Sequence, residues 1–376
     1  MKTIFALLLA LTVPLTGANR HALQPQSTSA LLDLRSVVGV VPDATGIDVY
    51  WERMNELETP VRSVLMRTTV NTNGTSRLSR VLIHEFEEGA FAGRVDGQGA
   101  NVQAIWTSSS GSIVASPIVN GALKYPEGKL VTPFGLYPDI ACHATECAVI
   151  HSFAGAQTAT IIDADSNAAG SFTLPAGFHP QHVSFSGQGL FFVRHQAQHF
   201  RAALVRRDGS VQYDITVADA DPAAFHAGPL AVAQNGAQHA VAFVDFAPEP
   251  DEVHAVTISG DGTMSAPVRL FQAERHPDMP NNVSLLSLAW NGTSYVLGGG
   301  HVIGTSFLTR FDGAFHPLDA EPLRGPAVPW PSVHAEGQSF VIVWSASRPY
   351  LTILTPDGEM TQRLELDPAP RRRAVR

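Results

Sequence analysis

Pro331-Ser-Val-His-Ala-Glu-Gly337 runs into Phe340-Val-Ile-Val-Trp344, then Tyr350-Leu-Thr-Ile-Leu354, Asp357-Gly358 and finally Gln362-Arg-Leu-Glu-Leu366. Short β-branched and aromatic runs punctuated by glycine turns read as strands joined by hairpins. The stretch therefore specifies four antiparallel strands, A to D, with tight turns after A and C and a longer loop after B. The residues before it repeat the frame: Leu285-Leu-Ser-Leu-Ala-Trp290, Asn291-Gly292, Tyr295-Val-Leu297, Phe307-Leu-Thr-Arg-Phe311, Asp312-Gly313. In both copies the two turn glycines, at 292 and 313 and at 337 and 358, are 21 positions apart.

Working outward, Gly236 and Gly262 frame a further copy around Val241-Ala-Phe-Val244, and Gly187 and Gly209 another around Leu190-Phe-Phe-Val193. A degenerate copy has Ile140-Ala-Cys142, Cys147-Ala-Val-Ile150 and Thr160-Ile-Ile162, with Asp163 to Asn167 replacing the second glycine turn. Gly97 and Gly121 bracket Val102-Gln-Ala-Ile-Trp106, and the first copy carries Ile47-Asp-Val-Tyr-Trp51 and turns at Asn73-Gly74. Seven units of roughly 47 residues fill positions 37–367, a period and strand number that specify propeller blades. The expected fold is an all-β, seven-bladed β-propeller with four antiparallel strands per blade.

Turn chemistry supports the register. Nine Asn-Gly or Asp-Gly dipeptides, starting at positions 73, 96, 120, 208, 235, 261, 291, 312 and 357, all fall at A–B or C–D turns of this frame. Such dipeptides adopt the positive φ of type I′ hairpin turns cheaply. Small residues on strand A (Ala141, Ala231, Ala233, Ser287, Ser332) suit a crowded central channel. Trp51, Trp106 and Trp344, at the ends of B strands, are read as packing between blades.

The unit resembles the repeat of bacterial extracytoplasmic β-propeller proteins, P-x-V-A-x-x-G-x-x-[FY]-h-V-h-W … D-G, where h is hydrophobic. The last copy carries it best, through Pro331, Val333, Ala335, Gly337, Phe340, Val343, Trp344, Asp357 and Gly358. Blades three to five lack the tryptophan. The resemblance implies a propeller fold and brings no shared catalytic residues.

Lys2, the apolar run Ile4–Leu11 and the small residues Thr16-Gly17-Ala18 follow the order of a secretory signal peptide, with cleavage expected after Ala18. Residues 19–36 are expected to be a linker or a closure strand: Ser29 to Arg35 would pair with the last blade or form a short helical turn. Residues 368–376, with Arg371-Arg372-Arg373, read as a basic, solvated tail. No later run reaches the ~20 apolar residues of a spanning helix. The mature chain is thus expected to be extracytoplasmic, either periplasmic or secreted. With 34 acidic against 25 basic residues and a net charge of −9, the chain lacks the basic surface that nucleic acid requires.

Cys142 and Cys147 flank a short turn and are expected to face each other across a hairpin as a structural disulfide, which an oxidising compartment preserves. Alternating turns place the long B–C and D–A loops at one end of the ring. Loop position nominates Arg194, His195, His199, Asp245, Asp251, Glu252 and Arg348 as partner contacts. Among the 15 histidines, His151, His195, His199 and His301 are weak candidates for a divalent metal, although no spacing is diagnostic. Asp163-Ala-Asp165-Ser-Asn167 begins like a calcium loop but has Ala168 where the glycine belongs, so it reads as a turn. No nucleophile elbow, phosphate loop or dinucleotide fingerprint occurs. The expected function is therefore non-enzymatic binding, without a cofactor, of a protein or extracellular glycan partner at the long-loop end. The alternative is a metal-assisted polysaccharide lyase or hydrolase with histidine ligands at the channel mouth.

Overall fold

The computed structural model describes residues 33–43, 46–55, 62–70, 79–86, 93–153, 155–175, 180–196, 199–219, 230–245, 251–272, 283–301, 306–325, 331–344, 349–361 and 363–366. Their regular elements are all strands, arranged as the seven blades of a β-propeller. Blade 1 comprises β1 (Asp33–Asp43), β2 (Gly46–Asn55), β3 (Arg62–Val70) and β4 (Ser79–Phe86). Blade 2 comprises β5 (Gly93–Gln98), β6 (Asn101–Thr107) and β7 (Ile113–Val119), with its outer strand split into β8 (Ala122–Leu123) and β9 (Lys129–Thr132). Blade 3 is β10 (Leu136–His143), β11 (Glu146–Phe153), β12 (Ala156–Asp163) and β13 (Ala168–Thr173). Blade 4 is β14 (Pro180–Ser186), β15 (Gly189–Gln196), β16 (His199–Val205) and β17 (Val211–Asp219). Blade 5 is β18 (Leu230–Asn235), β19 (Gln238–Asp245), β20 (Glu252–Ile258) and β21 (Val268–Gln272). Blade 6 is β22 (Val283–Trp290), β23 (Ser294–His301), β24 (Ser306–Asp312) and β25 (Leu323–Arg324). Blade 7 is β26 (Pro331–Glu336), β27 (Ser339–Trp344), β28 (Tyr350–Leu354) and β29 (Leu364–Glu365).

Each first strand touches the next, from β1 through β5, β10, β14, β18 and β22 to β26, and β26 returns to β1. Alternate side chains on a strand face opposite neighbours, so the core is distributed between blades. Each of the seven seams holds an apolar cluster of described residues. Ring closure corrects the expectation for the N-terminal segment. Asp33, Leu34 and Arg35 belong to β1 and pair with Asn55, Met54 and Arg53 of the same blade. All four strands of blade 7 come from the C-terminal repeat. The ring closes by side-chain packing, with Val40, Ile47, Val49 and Val70 against Val341, Val343, Leu351, Ile353 and Leu366.

The turns are also more specific than expected. In blades 3 to 7 the C–D turn is one five-residue device. The first N–H bonds the fifth carbonyl, the fourth N–H bonds the first carbonyl, and the fourth residue has positive φ. This is a type I turn followed by a bulge in the left-handed region. Its fourth residue is Gly209, Gly262 or Gly358 in three blades, but Ser166 in blade 3 and Phe315 in blade 6. Among the described residues, Asn120-Gly121 alone has both φ values positive, as a type I′ turn requires. Asp96-Gly97 is not a turn: it lies inside β5, paired with Gln103 and Val102, and Gly99 (φ 61°) makes the A–B turn. Asn73-Gly74 falls outside the described residues.

A left-handed non-glycine residue costs about 1–2 kcal/mol, and both exceptions have visible compensation. Buried Ser166 donates its hydroxyl to Gln103 Oε1 (2.7 Å) across the blade 2–3 seam. Phe315 is buried and stacks on Tyr295 at 4.7 Å between centroids. The tryptophans behave as read. Trp51 and Trp344 are buried, and each donates its indole N–H to a threonine on the next strand, Thr68 and Thr352, at 3.0 Å. Cys142 and Cys147 are directly opposed on β10 and β11 and form a disulfide. The intervening turn is only Ala144-Thr145, since His143 and Glu146 still pair.

Candidate functional site

The nominated contacts scatter. Arg194 is not a loop residue: it lies in β15, 2% exposed, and forms an ion pair with Asp214, which also holds Arg201 at 3.0 Å. A buried guanidinium spends its charge inside the blade. Asp251 is buried, and Asp245 and His199 are half-buried. Glu252 binds His254 (3.1 Å) and Arg269 (3.0 Å) within blade 5. These hydrogen bonds, the Arg269 one first, hold its carboxyl below the usual range. Arg348 lies outside the described residues.

The histidines are spread over three blades. His151 is in blade 3, His195 and His199 are in blade 4, and His301 is in blade 6. Within blade 4, His195 pairs with Phe200 and His199 with Gln196 along the backbone. Among the described residues, no three His, Cys, Asp or Glu residues are grouped to hold a metal. The Asp163–Asn167 turn is occupied by protein cations: Asp165 receives Lys124 Nζ (2.5 Å), Lys129 Nζ (3.1 Å) and Tyr125 Oη (3.0 Å). Those bonds pull its carboxyl down to about 2, Lys124 first.

Along the central channel, side chains of one first strand satisfy the bare edge of the next. Asp96 accepts the Cys142 N–H (2.7 Å) and Ser287 accepts the Val333 N–H (2.9 Å). Burial pushes the Asp96 carboxyl up to about 6, against the pull of that hydrogen bond. These groups are engaged in holding the ring together.

The feature best built to receive a ligand lies elsewhere, in the seam between blades 2 and 3. A groove of about 580 Å3 runs over the outer part of the blade 3 sheet and reaches the long-loop end. Strand alternation places His151 and Phe153 of β11, Thr158 and Thr160 of β12 and Ser171 of β13 on the face towards blade 2. Opposite stand Val131 and Thr132 of β9 and the link Pro133-Phe134. Two local causes keep the seam open. The outer strand of blade 2 is broken into β8 and β9, and β13 begins with the small run Ala168-Ala169-Gly170-Ser171.

Phe134 and Phe153 form the rim. Their rings stack at 5.6 Å and 25°, yet they remain 58% and 55% exposed. Below them His151 is buried, with Nε2 3.4 Å from Thr160 Oγ1. Desolvation lowers its pKa, so the imidazole is neutral at pH 7. No Lys, Arg, Asp or Glu lines the groove among the described residues. An uncharged cleft with an aromatic rim and a hydroxyl-bearing wall is a binding geometry. Of these residues only His151 was a candidate site residue from sequence, and for metal ligation. The available signal was slight: Thr158 stands where blades 5, 6 and 7 carry His254, Phe307 and Tyr350, and a run of small residues follows, whereas Thr160 has threonine counterparts in Thr309 and Thr352.

No family model matches the chain, and no curated protein matches it. Solved structures do, at the level of fold. The BP39L lectin from Burkholderia pseudomallei superposes with a TM-score of 0.57 at 14% identity, over 82% of this chain and 96% of that one. A prolyl endopeptidase structure gives 0.54 at 13% identity, over 88% of this chain but 48% of that one. The Dos1 propeller gives 0.51 at 9% identity, over 88% and 83%. At these identities the likeness shows the propeller alone.

Proposed function

We propose that this chain is an exported, non-enzymatic propeller that binds a partner at its long-loop end, and that the partner is an extracellular glycan rather than a protein. The groove between blades 2 and 3 carries this reading. It is concave, uncharged and too narrow for the ~800 Å2 per side of a stable protein interface, yet it lies within the size range of small-ligand sites. Export is supported by the charged, apolar and small-residue order of the first 18 residues and by a disulfide that an oxidising compartment maintains. A lectin among propellers of similar fold is consistent with the proposal.

The test is surface plasmon resonance of the purified chain against an array of extracellular glycans and a panel of extracellular proteins, with polysaccharide turnover assayed in parallel. Saturable glycan binding without turnover is the expected result. No binding to either class, or polysaccharide cleavage abolished by a chelator, would overturn it.

A further inference from the structure

The geometry points to an uncharged sugar unit as the ligand of the groove between blades 2 and 3, held against Phe134 and Phe153 and oriented by the hydroxyls of Thr158 and Ser171. This inference rests on the glycan-binding reading and adds the site and the ligand class.

Three observations carry it. The first is the exposed aromatic pair. A soluble propeller that buries Phe191, Phe192, Phe200, Phe311 and Phe340 leaves two stacked phenylalanines more than half exposed at one groove. An exposed pair of this kind is a feature to explain rather than ordinary surface. The C–H face of a pyranose is an apolar surface of matching size, and its association with an aromatic ring removes both from water.

Polar alternation on the opposite wall is the second. On the blade 3 face the rungs His151–Thr158 and Thr160–Ser171 present an imidazole and three hydroxyls in a patch of four. A hydroxyl both donates and accepts, so a sugar edge matches such a wall in either sense. An acyl chain or aliphatic peptide side chain would bury those hydroxyls without partners, at about 1–3 kcal/mol each.

The third is electrical neutrality. A uronate, sialate or sulfate in the groove would be desolvated with no cationic side chain among the lining residues to receive it. His151, buried and uncharged at pH 7, supplies none.

Ser171 provides a clean test. It lies in β13, is paired with Thr160 on the face towards blade 2, lines the groove and is exposed. Ser171→Trp should therefore place an indole in the groove without disturbing the packed part of the blade. Isothermal titration would compare this variant, Phe153→Ala and the parent chain. The probes would be neutral hexose- and N-acetylhexosamine-terminated oligosaccharides, with uronate-, sialate- and sulfate-bearing counterparts. We expect binding of neutral probes only, a loss of tenfold or more in Phe153→Ala, and no measurable binding in Ser171→Trp at an unchanged Tm. Glycan binding that survives Ser171→Trp would place the site elsewhere and overturn this inference while leaving the proposed function standing. Preference for the anionic probes, or displacement of a neutral probe by a fatty acid or an apolar peptide, would overturn the ligand class. Protein binding without any glycan binding would overturn the inference and the glycan part of the proposal together.

Discussion

Blades 3 and 5 begin their second strands in the same register, so the seams they form with the preceding blades can be compared rung by rung. Counting from the A–B turn, Cys147, Val149 and His151 of β11 correspond to His239, Val241 and Phe243 of β19. Their partners on the third strand are Ile162, Thr160 and Thr158 in one blade and Ile258, Val256 and His254 in the other. On the preceding blades, Ile113 takes the rung that Phe200 fills. The seam between blades 4 and 5 is thus shut by Phe200 and Phe243, whose rings are 6.1 Å apart, while the outer part of the seam between blades 2 and 3 has isoleucine and histidine there and opens. Replacing Val256 by a threonine at position 160 keeps the shape and changes the chemistry, because a hydroxyl is not an isosteric apolar group in a core. Two seams built on one backbone plan differ in whether aromatic volume or hydroxyls occupy the outer rungs. One becomes core and the other a groove.

The sharpest way to break this comparison is truncation of the corresponding aromatics. Phe243→Ala should cost about 3–5 kcal/mol in denaturant unfolding, because it empties a filled seam. Phe134→Ala at the groove rim should stay within about 0.5 kcal/mol. Equal losses would mean that the rim phenylalanines are core and that the groove is not a site.

Acid titration probes the sealed seam next. His239 is 1% exposed, stacks on Phe191 at 3.8 Å between centroids, and burial drives its pKa down to about 4. Between about 6.5 and 4 the unfolded chain binds a proton there that the folded chain refuses, so stability falls as pH falls. The full effect is about 3 kcal/mol. Asp96 acts in the opposite sense: its carboxyl, raised to about 6, favours the folded state at low pH and loses that contribution as pH rises through 6. His239→Phe should therefore flatten the acid limb of a stability–pH curve. An unchanged limb would show that His239 is not sealed.

Smaller effects sharpen the account of the open seam. Reducing the disulfide, or replacing both cysteines by serine, should cost about 2 kcal/mol because the closed loop is short. Buried Cys147 packs with Ile105, Ile113 and Val149, so a much larger thermal shift would reveal that packing, rather than chain entropy, is what was lost. The smallest change is expected from Ser166→Gly. It removes the left-handed penalty of about 1–2 kcal/mol and also the hydrogen bond to Gln103, worth about 1 kcal/mol. Near-neutrality in Tm would confirm that the seam compensates the turn. A clear gain would show that the bond contributes little.

The blade count, strand order and buried tryptophans were legible because they are local. Period-2 apolar runs and glycine turns recur at fixed spacing, and each copy states them again. Blade 3, the copy with the weakest repeat signal, was still placed correctly by its neighbours. Errors arose where a dipeptide carries less information than the loop around it. Asp96-Gly97 lies in a strand because Gly99, two residues on, makes the turn. Asp312-Gly313 is displaced so that Phe315 takes the left-handed position. Loop position also misjudged Arg194, whose burial depends on Asp214, twenty residues away on another strand.

By itself, then, the sequence determined the repeating sheet, the hairpin pairing of Cys142 with Cys147 and the direction in which each blade turns. All of these follow from side-chain alternation and backbone angles within some ten residues. Tertiary structure alone decided how the ring closes and where it is open. A seam is made by two sheets whose residues lie 40 or more positions apart, as Ile105 and Val149 do across blades 2 and 3, or far more, as Val40 and Leu366 do at the closure. Whether facing rungs fill or leave space depends on the sum of their volumes, and neither strand carries that sum in its own sequence.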